Sequence, residues 1–559
     1  MMVSFLSRLL AGISLLSTTA GVVYYVKPTE PCTHNSSCPS NETCQTMDHY
    51  VSNSSHYFSS DHINVTLYFM CGVHNCAQEM TAHDLQTFTM IGTAGRQYVT
   101  ICMPIPGTRY YFLNISNTTI KDISVSHFSA SFERNSKLNA IKVNFAGRTS
   151  FDPGNISSIV FDTASALFDS CTFQQNSFVF LLTVNINVTV HNCTFHSYNH
   201  SHYSPIVAKY STLTLSGSVY FFNNSIGSPK GILYQYYGAL YVEDTTLIVN
   251  DGACVYFINN TAYRGGAIFL TRKATMHIAN GVNMFFLENK TRKLPHNSTY
   301  SKFGGGAIVL DSSFIFTETN AKLYFIKNSA GLDGGAILMR YQSTITLSSS
   351  TLVNFTSNVT AYTGGAISLN DGSSLNISAN TSIYFRNNTA INKEGGALSI
   401  TSSYLLIQNS NLFIENNSAS KHAGGGIFMS SSSSLKVSKN SEIFFTANRA
   451  HLQGGAVYLS LGGNISIDSC SKLIITYNSA NQGGAFYLTA TAMLSVGSYS
   501  IVLFGYNTAK DRGGAVYANV ELSLPCFLVL TNYLSEVKFE GNIAKGEIGM
   551  DELQNSCAC

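Results

Sequence analysis

The chain has 559 residues, which is long for one ordinary globular core and predicts several domains or one elongated repeat. Only 11% of the residues are charged and the formal net charge is +2, so nucleic acid is excluded as an expected partner. Aromatic residues make up 12% of the chain, which argues against a disordered polymer.

The first 20 residues have the features of a secretory signal peptide. Arg8 supplies a basic start, residues 9–16 form an apolar stretch, and Ala20 ends a run of small residues that is typical of a cleavage site. The alternative is an N-terminal membrane anchor that continues through residues 22–26. We expect cleavage, because Ser and Thr dilute the apolar stretch. No later stretch reaches the roughly 18 apolar residues of a spanning helix. The prediction is therefore a secreted, extracellular or cell-surface protein without a spanning segment after cleavage.

Residues 21–105 are predicted to form a disulfide-rich N-terminal cap together with the first coils of the fold. Six of the 13 cysteines crowd into this segment, and in an oxidising compartment they would form up to three disulfides of open connectivity. These cysteines are Cys32, Cys38, Cys44, Cys71, Cys76 and Cys102. A zinc site is the alternative, but the spacing lacks paired Cys-x-x-Cys ligands.

Asn-x-Ser/Thr sequons are abundant, with about twenty in the chain. Behind a signal peptide they predict N-glycosylation in a eukaryotic secretory pathway. The candidate sites are Asn35, Asn41, Asn53, Asn64, Asn114, Asn155, Asn187, Asn223, Asn259, Asn354, Asn376, Asn387, Asn416 and Asn464.

Residues 106–220 are predicted to be degenerate coils of the same fold. Two similar segments place Cys171 and Cys193 22 residues apart, which fits a short coil. Stacked, buried small residues are the favoured interpretation of this pair, with a disulfide as the alternative.

Residues 221–559 contain a regular repeat, and the C-terminal end of this segment is predicted to be uncapped. Each copy has Phe-x-x-Asn, then Gly-Gly-Ala, then a short apolar strand, as in Phe325 to Met339. Most copies lie 29 to 31 residues apart. Two positions of the strand are apolar in nearly every copy and the position between them varies, which is the period of a half-buried β-strand. About three such strands fit into each period. The predicted fold is all-β, a right-handed single-stranded parallel β-helix (solenoid) with coils of about 30 residues.

The asparagine of Phe-x-x-Asn is predicted to form a ladder of side-chain amides on stacked coils. Asn also tolerates a left-handed backbone at tight turns. A plain turn residue is the alternative. The ladder positions are Asn224, Asn260, Asn289, Asn328, Asn358, Asn388, Asn417, Asn448, Asn478, Asn507 and Asn542. The preceding residue is often a sequon Asn, which favours an inward ladder with outward neighbours.

The Gly-Gly-Ala and Phe-x-x-Asn elements resemble the repeat of chlamydial polymorphic outer-membrane proteins. The resemblance covers residues 220 to 545 and implies a secreted adhesin built on a β-helix. The N-terminal cysteines and the sequons resemble large β-helix surface proteins of simple animals such as sponges.

No catalytic constellation, metal site or cofactor is predicted. Asp311, Asp333, Asp371 and Glu394 are scattered near turns and do not recur at one coil position. The predicted function is therefore a non-enzymatic extracellular or cell-surface scaffold or adhesion protein that binds glycan or protein along the helix face. The alternative is a β-helix polysaccharide lyase or glycoside hydrolase, which would need a pair of carboxylates in one groove.

Two surfaces are predicted as candidate ligand contacts. Tyr458, Tyr487 and Tyr517 fall on successive coils and would form an aromatic column, although stacked tyrosines also stabilise sheets without a ligand. A longer loop after Asn289 carries cationic side chains that would suit an anionic glycan, although a tolerated surface loop explains them equally. Its candidate residues are Lys290, Arg292 and Lys293.

Overall fold

A computed structural model describes most of the chain and divides it into two compact units, Met1–Thr194 and Phe195–Cys559. The described residues are 21–31, 44–53, 57–58, 64–75, 80–93, 99–102, 110–126, 130–134, 136–146, 158–162, 164–174, 179–182, 186–200, 204–226, 237–292, 304–468, 470–489, 491–519, 528–530 and 535–545. The predicted signal peptide, Cys32, Cys38, Cys76, Asn35, Asn41, Asn155, Lys293 and the residues after 545 lie outside them.

Each unit is a right-handed parallel β-helix, in which strands pair in parallel with the equivalent strand one coil later. Glu30–Pro31 is an exception, because it pairs antiparallel with Gly72–Asn75. We number the sheets in the order in which one coil visits them. Sheet 1 follows Gly-Gly-Ala, sheets 2 and 3 come next, and sheet 4 consists mostly of two-residue strands after the ladder asparagine.

In the second unit the four sheets are regular. Sheet 1 comprises Ile206–Lys209, Leu240–Glu243, Ile268–Thr271, Ile308–Asp311, Ile337–Arg340, Ile367–Leu369, Leu398–Thr401, Ile427–Ser430, Val457–Leu459, Phe486–Thr489 and Val516–Asn519. Sheet 2 comprises Thr212–Ser216, Thr246–Val249, Thr275–Ile278, Phe314–Thr317, Thr344–Leu347, Ser374–Ile377, Tyr404–Gln408, Ser434–Ser438, Asn464–Ile467, Met493–Val496 and Leu528–Leu530. Sheet 3 comprises Ser218–Phe222, Cys254–Ile258, Asn283–Leu287, Lys322–Ile326, Leu352–Thr356, Ser382–Arg386, Asn411–Glu415, Glu442–Thr446, Lys472–Thr476, Ile501–Gly505 and Glu536–Glu540. Sheet 4 comprises Asn199–His200, Ser225–Ile226, Thr261–Ala262, Lys290–Thr291, Ser329–Ala330, Val359–Thr360, Thr389–Ala390, Ser418–Ala419, Arg449–Ala450, Ser479–Gln482, Thr508–Arg512 and Ile543–Ala544.

In the first unit, coil length varies and the described strands belong to sheets 1, 2 and 3. The strands of sheet 1 are Met80–His83, Tyr110–Leu113, Ala130–Glu133, Ser158–Asp162 and Val179–Leu182. Those of sheet 2 are Val22–Val26, Cys44–Gln45, Asn64–Phe69, Thr87–Gly92, Asn117–Lys121, Lys137–Ile141, Ser165–Asp169 and Asn187–His191. Those of sheet 3 are Glu30–Pro31, Gly72–Asn75, Val99–Cys102, Ser124–Ser126, Asn144–Ala146 and Thr172–Gln174, and Thr194–His196 spans the division. Among the described residues of this unit, one short helix, Met47–Ser52, lies between the strands Cys44–Gln45 and Asn64–Phe69. Cys71 is buried and disulfide-bonded.

The interior of the second unit is a set of stacked apolar columns, because alternate residues of each strand point inward. Ile367, Leu375 and Ile383, one from each of the three long sheets, are at most 2% exposed. The phenylalanines of Phe-x-x-Asn stack on one another, with ring centroids of Phe325 and Phe355 4.7 Å apart. Burial of each such side chain contributes roughly 1.5–3 kcal/mol relative to exposure.

The ladder asparagines form one continuous hydrogen-bonded row from Asn224 to Asn542, and all are at most 3% exposed. Asn388 shows the pattern. Its main-chain N–H and its Nδ2 both donate to Oδ1 of Asn417 at 2.9 Å, and its Nδ2 also donates to the carbonyl of Phe355 at 3.0 Å. Its own Oδ1 accepts two hydrogen bonds from Asn358. Every polar atom of the side chain is satisfied inside the protein, which is what burial of an amide requires.

The left-handed backbone lies one residue earlier than the sequence analysis placed it. Asn387 has a φ of 56°, whereas Asn388 does not have a positive φ. The same holds in other coils, where residues as different as Lys327, Ala447 and Tyr477 occupy the left-handed position. The ladder asparagine is therefore selected for its hydrogen bonds and not for its backbone conformation.

The two glycines of Gly-Gly-Ala have different roles. Gly395 has a φ of 74°, a conformation that favours glycine. Gly396 does not have a positive φ, but a Cβ at this position would lie 2.0 Å from the carbonyl oxygen of Gly425 on the next coil. The first glycine turns the chain, and the second allows adjacent coils to approach.

Candidate interaction surfaces

The sequon asparagines are mostly at the surface. Asn223, Asn259, Asn387 and Asn416 are exposed and stand next to the buried ladder. Two further sequons, at Asn289 and Asn358, belong to the ladder itself. Their Nδ2 atoms each donate to a phenylalanine carbonyl and to the next ladder asparagine, so the folded protein does not offer them for glycosylation. The remaining described candidates are Asn53, Asn64, Asn114, Asn187, Asn354, Asn376 and Asn464, all exposed or half-buried.

The predicted tyrosine column exists, but it is not the exposed strip that the sequence analysis expected. Tyr458 and Tyr487 stack with ring centroids 5.3 Å apart, and Tyr517 follows at 5.4 Å. Tyr487 is only 4% exposed, whereas Tyr458 and Tyr517 are half-buried. A side-chain hydrogen bond joins Tyr487 to Gln453, which lies in the turn before Gly-Gly. Contact with this turn therefore accompanies the burial of Tyr487 on the outer side of sheet 1.

A larger aromatic surface lies on the outer side of sheet 3. Tyr220, Tyr256, Phe285 and Tyr324 stack on four successive coils, with centroid distances of 4.7, 4.8 and 4.9 Å. All four are half-buried on the solvent side of their strands. A parallel row of apolar side chains lies beside them, namely Phe222, Ile258, Leu287 and Ile326. We call these eight residues the aromatic face.

A second stack continues sheet 3 after an interruption at Asn354. It consists of Tyr384, Phe413 and Phe444, with centroids 4.6 and 5.0 Å apart. The guanidinium of Arg386 lies over the ring of Tyr384 at 4.4 Å. The sequence analysis missed both stacks, although the signal was present. An aromatic residue directly precedes the phenylalanine of Phe-x-x-Asn in most of these coils.

The candidate cations of the long loop are only partly available. Lys290 is exposed at the start of its sheet 4 strand. Arg292 is half-buried, donates to the Ser225 hydroxyl at 2.7 Å and lies over the ring of Tyr263 at 5.9 Å. Lys290 is thus the freer of the two described residues.

One buried carboxylate, Glu243, lies on the outer side of sheet 1 and is fully engaged. Its Oε2 lies 2.9 Å from the Nζ of Lys209 and accepts a 2.9 Å hydrogen bond from the Tyr241 hydroxyl, while Arg272 binds Oε1. Burial alone would raise the pKa of Glu243. The hydrogen bonds from Lys209 and Tyr241 and the nearby positive charges outweigh it, so the pKa lies below its ordinary value. An ionised, saturated carboxylate of this kind stabilises the fold and is a poor general acid.

Two carboxyl groups, of Asp333 and Glu394, directly precede Gly-Gly and occupy the same position on their coils, whereas the sequence analysis expected no such recurrence. Asp333 accepts hydrogen bonds from Thr363 N at 3.2 Å and Thr363 Oγ1 at 2.9 Å. Burial raises the pKa of Asp333, these hydrogen bonds offset part of the rise, and the charge of Glu394 adds to it. Asp333 and Glu394 are two coils apart, which corresponds to about 10 Å at the usual strand spacing. His422 Nδ1 lies 3.1 Å from Glu394 Oε1.

Within the described ranges, no group of His, Cys, Asp and Glu side chains is arranged to hold a metal ion. No helix among the described residues has the length and apolarity needed to cross a membrane.

Comparison with known proteins agrees with the repeat. The Chlamydia polymorphic membrane protein (Chlamydia_PMP) repeat matches residues 255–271. The chain is also similar to the probable outer membrane protein pmp21 of Chlamydia pneumoniae, with 29% identity over 135 residues. That match covers 24% of this chain and 8% of the relative's length. No solved structure matches the chain. The chain is thus a right-handed parallel β-helix that carries repeats of the polymorphic membrane protein type.

Proposed function

We propose that the chain is a non-enzymatic, surface-displayed scaffold that adheres to glycan or protein through the outer sides of its sheets. The aromatic face of sheet 3 is the observation that carries this proposal. Inward strand positions are mostly apolar, whereas outward positions in sheets 2 and 4 are mostly polar, as at Thr344, Thr346 and Ser329. Eight apolar and aromatic side chains in two adjacent rows on the solvent side are therefore a strong departure from the pattern.

The rings of the stack cover one another's faces, so they present their edges and the tyrosine hydroxyls to solvent. Together with the adjacent apolar row, these edges form a half-buried surface that suits apolar protein side chains and the C–H groups of sugars. The similarity to an outer membrane protein supports a surface location. The signal peptide, secretion and N-glycosylation are part of the proposal and rest on the sequence features given above.

The test is to immobilise the full-length protein and to pass polysaccharides and soluble cell-surface extracts over it, following the retention and size of each. We expect retention without shortening, and at least a tenfold weaker retention by a Tyr256→Ser/Tyr324→Ser variant. The matched control is Tyr477→Ser/Tyr506→Ser, which removes two exposed stacked tyrosines at a corner outside the aromatic face. Equal retention by the wild type and the aromatic-face variant would overturn the proposal.

A carbohydrate-active enzyme is the second candidate, and Asp333 is the observation that favours it. Its raised pKa is the property of a general acid, and the two-coil spacing from Glu394 is near the roughly 6.5–9.5 Å of inverting glycosidases. The same assay decides between the two functions. Shortened polysaccharide, lost in Asp333→Asn but kept in the exposed control Asp371→Asn, would establish the enzyme.

A further inference from the structure

A concave surface lies on sheet 4, away from the aromatic face. It is a groove of about 260 Å³ that crosses the coils of Ser418–Ala419, Arg449–Ala450 and Ser479–Gln482 and reaches the next strand. The polar residues that line it are Ser418, Ser420, Arg449, His451, Ser479 and Lys510. None of the described residues that line this groove carries a carboxylate.

Two cations border this groove without an anionic partner in the described part of the chain. Arg386 and Lys472 each form an ion pair with a glutamate on a neighbouring coil, at 2.8 Å in both cases. Among the described residues, neither Arg449 nor Lys510 forms an ion pair, although both are exposed and border the same groove. With two positive charges and no carboxylate among its described lining residues, the groove favours an anionic ligand.

The spacing of the charges indicates the shape of the ligand. Arg449 and Lys510 belong to strands two coils apart, which is about 10 Å along the coil axis. The hydroxyls of Ser418 and Ser479 lie on the same groove wall, where they provide neutral donors and acceptors. A chain of linked sugars with an anionic group on alternate units fits this arrangement, because its charges are separated by one neutral unit.

We propose that this groove binds an anionic polysaccharide, with carboxylate or sulfate groups paired with Arg449 and Lys510. This inference rests on the proposed adhesive function and specifies one class of its ligands. The formal net charge of the whole chain is only +2, so long-range attraction is weak and binding depends on this local cluster.

The experiment measures binding of the full-length, glycosylated protein to hyaluronan, which has a carboxylate on alternate units, to heparin and to neutral dextran at two salt concentrations. We expect binding to one or both charged polymers that weakens as salt rises, and an Arg449→Gln/Lys510→Gln variant that binds at least tenfold more weakly. The matched control is Lys472→Gln/Lys538→Gln, which removes the same charge from lysines that are ion-paired elsewhere, and should bind within twofold of wild type.

The inference is overturned if wild type binds neither charged polymer, or if the groove variant and the control behave alike. These outcomes are distinct from failure of the adhesive function. A protein that ignores charged polymers but loses another ligand through Tyr256→Ser/Tyr324→Ser would keep the proposed function and lose only the groove.

Discussion

In the second unit, the corner between sheets 3 and 4 is a row of buried asparagines. The described part of the first unit turns instead between sheets 2 and 3, on Ile123, Val143, Cys171 and Cys193. At that position the second unit has Ala253, Val282 and Ala321 in its earlier coils and Thr or Ser from Thr351 onward, as where Ser410 N donates to Ser441 Oγ at 3.3 Å. Cys171 N donates to Cys193 Sγ at the same distance, so the thiol takes the place of the hydroxyl. Both cysteines are free and buried.

The difference in corner chemistry accompanies a difference in regularity. In the first unit, Ile120 pairs with Ala140, 20 residues on, and Ala140 pairs with Phe168, 28 residues on. In the second unit, consecutive ladder asparagines from Asn328 to Asn507 are 29 to 31 residues apart. An apolar corner needs only to be buried, whereas an asparagine must meet its neighbour at hydrogen-bond distance. The same bonds are kept across longer coils, from Asn224 to Asn260, from Asn289 to Asn328 and from Asn507 to Asn542. The directional bonds therefore fix the position of the corner, while the rest of the coil accommodates added residues.

The strongest way to break this comparison is to interrupt the ladder with Asn388→Leu. The substitution removes Asn388 Oδ1, which accepts two hydrogen bonds from Asn358, and leaves the buried Phe355 carbonyl without the Nδ2 donor. Several unsatisfied buried groups predict a loss of roughly 3–5 kcal/mol. Urea denaturation of the full-length protein would measure this. The neighbouring exposed Asn387→Asp is the control and should cost less than about 0.5 kcal/mol. Similar losses in both variants would refute a special role for the ladder.

Close approach of the coils is tested by Gly396→Ala. The added methyl would lie 2.0 Å from a main-chain oxygen, which cannot move aside without separating two coils, so we expect a loss of about 3 kcal/mol. Gly505→Ala is matched to it, because Gly505 also lacks a positive φ, but its Cβ would meet only the Thr476 methyl at 3.3 Å. Equal melting temperatures of the two variants would contradict a requirement for close approach of the coils at Gly396.

Asp333→Asn sharpens the comparison by testing a charge that the second unit buries. Because the pKa of Asp333 is raised in the folded state, the ionised side chain destabilises the protein above that pKa, and the penalty fades as the pH falls toward the unfolded value. The variant should therefore melt at a higher temperature than wild type at pH 7 and at the same temperature near pH 3.5. A constant difference at both pH values would contradict this origin.

The smallest effect is expected from Cys171→Ser, which gives the first unit a corner residue of the second. The hydroxyl can donate to the Ala140 carbonyl in place of the thiol, so stability should change by less than about 1 kcal/mol. Burial raises the pKa of the Cys193 thiol, and Cys193 should resist alkylation in the folded protein while exposed Cys470 reacts. Peptide mapping after alkylation measures both, and rapid labelling of Cys193 would oppose a buried ladder.

The sequence was sufficient for the coil and its repeat, since the period-two strands and the recurring Gly-Gly-Ala are local signals. The sequence did not distinguish the roles of two adjacent residues that have the same turn preference. Asn387 and Asn388 both suit turns, and only the structure shows that the first takes the left-handed backbone and the second the buried bonds. The burial of Tyr487 depends on a turn that packs from outside its own strand. The proximity of Asp333 to Glu394 was present in the repeat, because both directly precede Gly-Gly, but the sequence analysis did not align the two positions.

The ladder also has a direction. In each coil the asparagine N–H and one Nδ2 hydrogen bond the following coil, while Oδ1 and the other Nδ2 hydrogen bond the preceding coil. Any folded coil whose successor is still unfolded thus presents two unpaired donors, and the arrival of one oxygen satisfies both. The aligned amides polarise one another along the row. Each completed coil therefore offers a template of two donors for the coil that follows it toward the C-terminus.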